Sequence, residues 1–113
     1  MEAVFVELPA FERHRGEYLD DAALRELEVS LMRNPEAGRL IQGTGGLRKV
    51  RLPDPRRRKG KRGGLRLIYY WWREGTQFWL LAIYDKGEMS DLTRRHRERL
   101  RMMLSAELNA RKR

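Results

Sequence analysis

The sequence predicts a small α+β protein, an antiparallel sheet with N-terminal helices packed on it and a C-terminal helix. Three observations carry that prediction. Two neighbouring segments, Leu65 to Trp72 and Phe78 to Tyr84, are dense in β-branched and aromatic residues and lie one short Gly-containing connection apart. Apolar residues recur at three- and four-residue spacing after Asp20 and again after Asp91, the period of a helix face. With 41% hydrophobic residues in 113, the chain has enough apolar surface for one core, whereas two cores would each be at the lower limit of self-support. The whole of 1–113 is therefore expected to form one domain, with 110–113 as a frayed tail.

The elements follow in order. Val4, Val6 and Leu8 alternate with Phe5 and Glu7, a short strand ending at Pro9. A helical turn is weakly indicated between Phe11 and Glu17. Ala23, Leu24, Leu27 and Leu31 line one helical face, with Asp20 or Asp21 placed to cap it and Asn34-Pro35 to end it. After the turn Gly43 to Gly46, the stretch Leu47 to Pro53 reads as a strand with Val50 and Leu52 on one face and Lys49 and Arg51 on the other. Residues 54–64 read as an exposed loop of Pro, Arg, Lys and Gly. The two aromatic strands carry apolar residues on both faces, so they belong in the centre, covered on both sides. Thr93 is placed to cap a last helix whose stripe is Leu92, Leu100, Met103, Leu104 and Leu108.

Charge is concentrated rather than spread. The formal net charge is +9, and residues 41–73 alone hold 11 basic side chains against 1 acidic, while residues 1–40 hold 5 against 9. A positive field focused in this way attracts phosphate backbones or anionic lipid. No cysteine is present, which excludes disulfides and thiolate metal sites. No apolar run approaches the ~18 residues of a membrane span, and Met1 to Ala10 lacks a basic-then-apolar leader. A soluble cytoplasmic protein is the expectation.

Most catalytic patterns are absent. His14 and His96 are far apart and form no metal-binding helical pair. Gly43 to Gly46 is not followed by the Lys-Ser/Thr of a phosphate-binding loop. Asp54, Asp85, Glu88 and Asp91 have the chemistry of a metal cluster, but the basic residues around them argue against it. What remains is a set of cations: Arg48, Lys49, Arg51, Lys59, Lys61, Arg62, Arg66 and Lys86. Arg66 stands inside an otherwise apolar strand, sharing a face with Ile68 and Tyr70. It is either a structural arginine paired with a carboxylate or a cation held on a rigid strand to grip phosphate. The aromatic residues Tyr69 to Trp72, Trp79 and Tyr84 can stack bases, although a domain this small needs most of them for its core. Tyr84 and Lys86 end a strand on one face. Such residues can cleave RNA without a metal: a 2′-hydroxyl attacks the adjacent phosphate, cations stabilise the developing charge, and an acid protonates the leaving 5′ oxygen. Crowded cations would also ease the loss of a proton from a lysine among them.

Several separated blocks resemble the HigB-like branch of the RelE/ParE toxin superfamily. They are Asn34-Pro35-Glu36-Ala37-Gly38, Gly45-Gly46-Leu47-Arg48-Lys49, Gly60-Lys61-Arg62-Gly63-Gly64-Leu65-Arg66-Leu67-Ile68-Tyr69-Tyr70, and Leu80 to Glu88 leading into Asp91-Leu92-Thr93. Together they span roughly residues 30–93 in the family's order. The resemblance implies the RelE-like fold and the toxin of a type II toxin–antitoxin pair, a ribosome-dependent mRNA endoribonuclease needing no metal or other cofactor. It implies as partners messenger RNA in the ribosomal A site, ribosomal RNA, and a HigA-like helix-turn-helix antitoxin encoded just downstream, through which alone the toxin meets operator DNA. By position it assigns Lys49 and Arg51 to the basic pair before the loop, Lys61 and Arg62 to the loop, Arg66 to the central strand and Lys86 to the close of the last strand. The chain departs from the RelE pattern at Gly87, where RelE has an arginine, and at Thr93, near which RelE has a catalytic tyrosine; Tyr84 or Lys86 are the candidate substitutes. Arg66, Lys86, Tyr84 and Lys49 are thus the expected catalytic set, with Arg48, Arg51, Lys59, Lys61 and Arg62 binding RNA and ribosome. Two other classes stay open: a ParE-like DNA gyrase inhibitor without RNase activity, and a basic RNA-binding module without chemistry.

Overall fold

The computed structural model describes residues 2–56 and 64–112. Strand β1 (Val4–Glu7) leads into helices α1 (Pro9–Tyr18) and α2 (Asp21–Arg33), followed by a two-residue strand β2 (Arg39–Leu40). Strands β3 (Arg48–Leu52), β4 (Leu65–Trp72) and β5 (Gln77–Asp85) then precede helix α3 (Arg94–Arg111). The strands form one sheet in the order β1-β5-β4-β3-β2, so the two aromatic strands lie in its middle as expected. The sheet is antiparallel through β2, β3, β4 and β5, as expected, and β1 joins its edge parallel to β5. No hairpin dictates the direction of β1: about seventy residues separate it from β5, and a long connection permits parallel pairing.

Local signals place the helix ends. Pro9 sits in the first turn of α1, where its missing N–H costs nothing. The helix is a full ten residues rather than a single turn, although its own apolar pattern is weak, because Phe11 and Tyr18 are buried against the sheet. The side chain of Asp20 accepts the amide of Ala23 at 2.8 Å and caps α2. At α3, Thr93 accepts from the amide of His96 at 3.1 Å and His96 Nδ1 accepts from the amide of Thr93 at 3.1 Å. His96 thereby fills the place that Glu or Gln usually takes in a capping box.

The sheet is covered on both faces. Leu65, Leu67, Tyr69, Phe78, Leu80 and Ile83 pack beneath α1 and α2 with Phe11, Leu27 and Leu31. Ile68, Trp79, Leu81 and Tyr84 pack beneath α3 with Leu92, Leu100 and Leu104. Helix α3 ends at Arg111. Its guanidinium lies 4.8 Å from the Trp79 ring centroid and 3.2 Å from the Glu107 carboxylate, contacts that anchor the last turn.

Tyr69 ties the α2–β2 connection to the core. Its hydroxyl donates to the carbonyl of Pro35 at 2.8 Å and accepts from the amide of Gly38 at 3.0 Å. Gly38 is required there, since a Cβ would stand 2.9 Å from the Tyr69 ring and 3.0 Å from the backbone oxygen of Lys49. Tyr69→Phe leaves the buried Gly38 amide without its acceptor, and we expect a loss of about 1–3 kcal/mol. Urea unfolding checks this: the midpoint should fall while the m-value stays unchanged.

Candidate active site

The cations singled out in the sequence divide between the two faces of the sheet. On the face that carries α3, Arg39, Lys49, Arg51, Arg66 and Lys86 line one open hollow of about 530 Å³, with Ser90 and Asp91 at its rim. Strand register explains the convergence. Arg39 lies opposite Lys49, Arg51 opposite Arg66, and Arg66 opposite Tyr84, so three adjacent strands present positive side chains side by side. Residues directly opposite in a sheet share a face, and like charges so placed repel.

Arg66 is the least exposed of these cations, at 8%, and one guanidinium nitrogen donates to the backbone oxygen of Leu65 at 3.1 Å. Its fixed, low-dielectric seat intensifies its field toward the hollow. Arg39, Arg51 and Lys86 are exposed and Lys49 is half-buried.

Lys86 reaches this face through a β-bulge. Ile68 pairs with Ala82 and Tyr69 with Leu80, which leaves Leu81 as an extra residue on β5. The extra residue shifts the alternation by one. Before it, Phe78 and Leu80 face the N-terminal helices; beyond it, Ile83 does so and Tyr84 turns to the α3 side. Without the bulge Lys86 would share the face of Phe78 and Leu80. Its amide is held by the backbone oxygen of Gly64 at 2.7 Å.

Other expected residues lie elsewhere. Arg48 is on the opposite face, donating to the carbonyls of Gly38 at 2.8 Å and Glu36 at 3.3 Å, so it braces the α2–β2 connection and does not join the hollow. Tyr84 shares the face of the hollow but is buried among Leu92, Leu81 and their neighbours, and it is not part of the lining. Burial pushes its phenol above the usual range, more than the nearby Arg66 draws it down, so the hydroxyl is poorly suited to serve as a base. Lys59, Lys61 and Arg62 lie outside the described residues.

Arg39 was not foreseen. A two-residue strand shows no alternation, although the Gly-rich turn after it, joining it to β3, is the sign of a hairpin. A second open hollow, about 480 Å³, adjoins the first and shares Arg39, Lys49 and Asp91 with it while adding Arg94 and Arg97 from the first turns of α3. The positive surface therefore continues past the cup. Among the described residues no three His, Asp or Glu side chains gather to hold a metal. Asp54 and Asp85, for which basic neighbours argued against a metal site, converge on the guanidinium of Arg56, each 2.8 Å from Nη2.

The fold and this site invite comparison with solved structures. An arginine-to-alanine double mutant of the E. coli toxin RelE in the free state superposes with a TM-score of 0.52 at 18% identity, covering 80% of this chain and 90% of that one. The chain has the RelE-like fold. The intact E. coli RelBE toxin–antitoxin complex matches with a TM-score of 0.51 at 19% identity over 74% of this chain and 96% of that one. The isolated E. coli RelE toxin matches with a TM-score of 0.51 at 17% identity over 90% and 99%. No family model matches the sequence. Among the described residues, no helix is long and apolar enough to cross a membrane.

Within the cup Asp91 is the internal competitor for an anion. Its carboxylate accepts the amide of Leu92 at 2.7 Å and lies 3.5 Å from Lys49 Nζ. The Leu92 amide, then the Lys49 charge, hold its pKa below the ordinary carboxylate range, which keeps it negative at neutral pH. Asp91→Asn retains the amide contact and releases Lys49. We expect tripolyphosphate to bind about two- to fivefold more tightly by calorimetry, with no change in melting temperature beyond a degree or two.

Proposed function

We propose that this chain is the toxin of a type II toxin–antitoxin pair, a HigB-like mRNA endoribonuclease of the RelE/ParE superfamily acting on the ribosome without a metal ion. The observation that carries the proposal is the cup of five cations on one sheet face. Like charges set opposite one another on stiff strands cost stability, and an RNA phosphate is the partner that turns this cost into binding.

The chemistry follows from placement. A ribose 2′-hydroxyl gives up its proton to solvent water as its oxygen bonds to the adjacent phosphorus, and the bond to the 5′ oxygen breaks, leaving a cyclic phosphate and, once protonated, a free 5′-hydroxyl. Lys49 and Arg51 hold the phosphate from β3. Arg66, seated on β4, stabilises the negative charge that builds on the phosphoryl oxygens, a role for which a pre-organised cation suffices. Lys86 protonates the leaving 5′ oxygen from the end of β5. Tyr84 has no part in proton transfer. Arg39, Arg94 and Arg97 extend the phosphate-binding track beyond the cup, and Lys59, Lys61 and Arg62 contribute to RNA and ribosome binding.

The partners proposed are messenger RNA in the ribosomal A site, ribosomal RNA, and a HigA-like antitoxin through which operator DNA is reached. The toxin–antitoxin complex among the structural matches supports an antitoxin partner. The cell compartment is the cytoplasm, where translation occurs.

Arg66→Ala and Lys86→Ala are each expected to slow mRNA cleavage on translating ribosomes by about 100-fold or more and to relieve growth inhibition, with circular dichroism unchanged. Full toxicity in both folded variants would sink the site. Gyrase inhibition in a supercoiling assay, with messages left whole, would make the chain a ParE-like inhibitor. Salt-sensitive RNA binding without cleavage on ribosomes would make it a binding module.

A further inference from the structure

Arg56 lies just after β3, on the helix side of the sheet and away from the cup. Its Nε and backbone amide donate to Asp54 Oδ1 at 2.9 and 3.0 Å, and Nη2 reaches Asp54 Oδ2 and Asp85 Oδ2, both at 2.8 Å. Nη1 donates to the backbone oxygen of Glu17 at 3.4 Å, and the guanidinium sits 4.8 Å from the Tyr18 ring centroid. One side chain therefore joins the β3 exit, the end of β5 and the end of α1. Both carboxylates are buried, with side-chain exposures of 0% and 6%.

Asp85 passes the restraint to the next residue. Its other oxygen, Oδ1, accepts the amide of Gly87 at 2.8 Å, and its backbone oxygen accepts the amides of Glu88 and Met89 at 2.9 and 3.0 Å. The same turn is tied again where Tyr18 Oη donates to Glu88 Oε1 at 2.7 Å. Burial first, and then that hydrogen bond, push the Tyr18 phenol up to about 12. The stabilisation from this second tie is therefore whole below the ordinary phenol value of 10.0 and is lost as pH rises toward 12. Strand alternation sends Asp85 to the helix face and Lys86 to the cup face. The turn that carries Lys86 is thus gripped from behind.

We infer that Arg56 is a positioning residue: by bridging Asp54 and Asp85 on the far face of the sheet, it fixes the backbone that presents Lys86 to the cup. The inference rests on the proposed cleavage reaction only for its kinetic consequence. Arg56 lies behind the sheet with its guanidinium on two carboxylates, and it lines neither cationic hollow. It differs in this from Lys49, Arg51 and Arg66, which act on the anion directly.

The test uses the full chain with Arg56→Lys, which keeps the positive charge but loses the planar fork that reaches both carboxylates. Arg51→Gln serves as the comparison. In Arg56→Lys the amides of Gly87, Glu88 and Met89 should exchange with solvent at least about tenfold faster. Ribosome-dependent cleavage should fall about tenfold. The salt dependence of binding to an all-2′-deoxy, non-cleavable strand should be unchanged. Arg51→Gln should leave those amides alone and reduce the magnitude of the log–log salt slope by about 0.7. Wild-type exchange at the three amides in Arg56→Lys would overturn the inference. So would a salt slope reduced as in Arg51→Gln, since that would make Arg56 a phosphate ligand. If Arg56→Lys fails to fold, Asp85→Asn, which keeps an acceptor for Gly87, should show the faster exchange at Glu88 and Met89, and unchanged exchange there overturns the inference too. A wild-type protein that cleaves nothing would remove the reaction while the amide exchange still decides the clamp.

Discussion

Electrostatic repulsion within the sheet is the constraint on which the rest of the molecule depends. Arg51 faces Arg66 across one strand pair and Arg39 faces Lys49 across another. Such neighbours would splay apart on a pliable backbone. They are held because β4 and β5 are buried on both faces by two separate apolar clusters. The aromatic mass that looked suited to stacking bases serves mainly as ballast: Tyr69 and Trp79 are fully buried, and they stiffen the frame against which the charges are set.

The two faces of the sheet divide the ionic work. The helix face holds arginines whose charge is consumed internally, Arg48 on carbonyls and Arg56 on two buried carboxylates. The α3 face holds those that line the hollow, the exposed Arg39 and Arg51 and the buried Arg66. Buried ion pairs are weak sources of stability but good at specifying one geometry. Here the geometry specified is the turn from Asp85 to Met89, which bears Lys86 on its cup side.

Much of the architecture was legible. The helix over Asp21–Arg33 with its Asp20 cap, the central aromatic strands, the stripe on α3 and the Thr93 cap all follow from local period and capping chemistry. Of the eight cations singled out in the sequence, Lys49, Arg51, Arg66 and Lys86 share one hollow. Arg48, adjacent in sequence to Lys49, points to the other face of the same strand and so lies outside the hollow. Tyr84 lies on the face of the hollow but outside its lining, packed with Leu92 beneath α3, because alternation assigns a face and not a depth. Arg39 was invisible because two residues carry no period.

Composition and periodicity determined on their own that this chain would be a small α+β protein with its positive charge gathered in one stretch, since burial period and net charge are properties of local sequence. Which cations face one another was decided only in three dimensions. Register pairs residues distant along the chain, and the extra residue at Leu81 reverses which side of β5 each later side chain occupies. The parallel pairing of β1, the anchoring of Arg111 on Trp79 and the convergence of Asp54, Arg56 and Asp85 belong to the same class. Each is a contact between segments far apart in sequence, whose energy exists only after the chain has closed on itself.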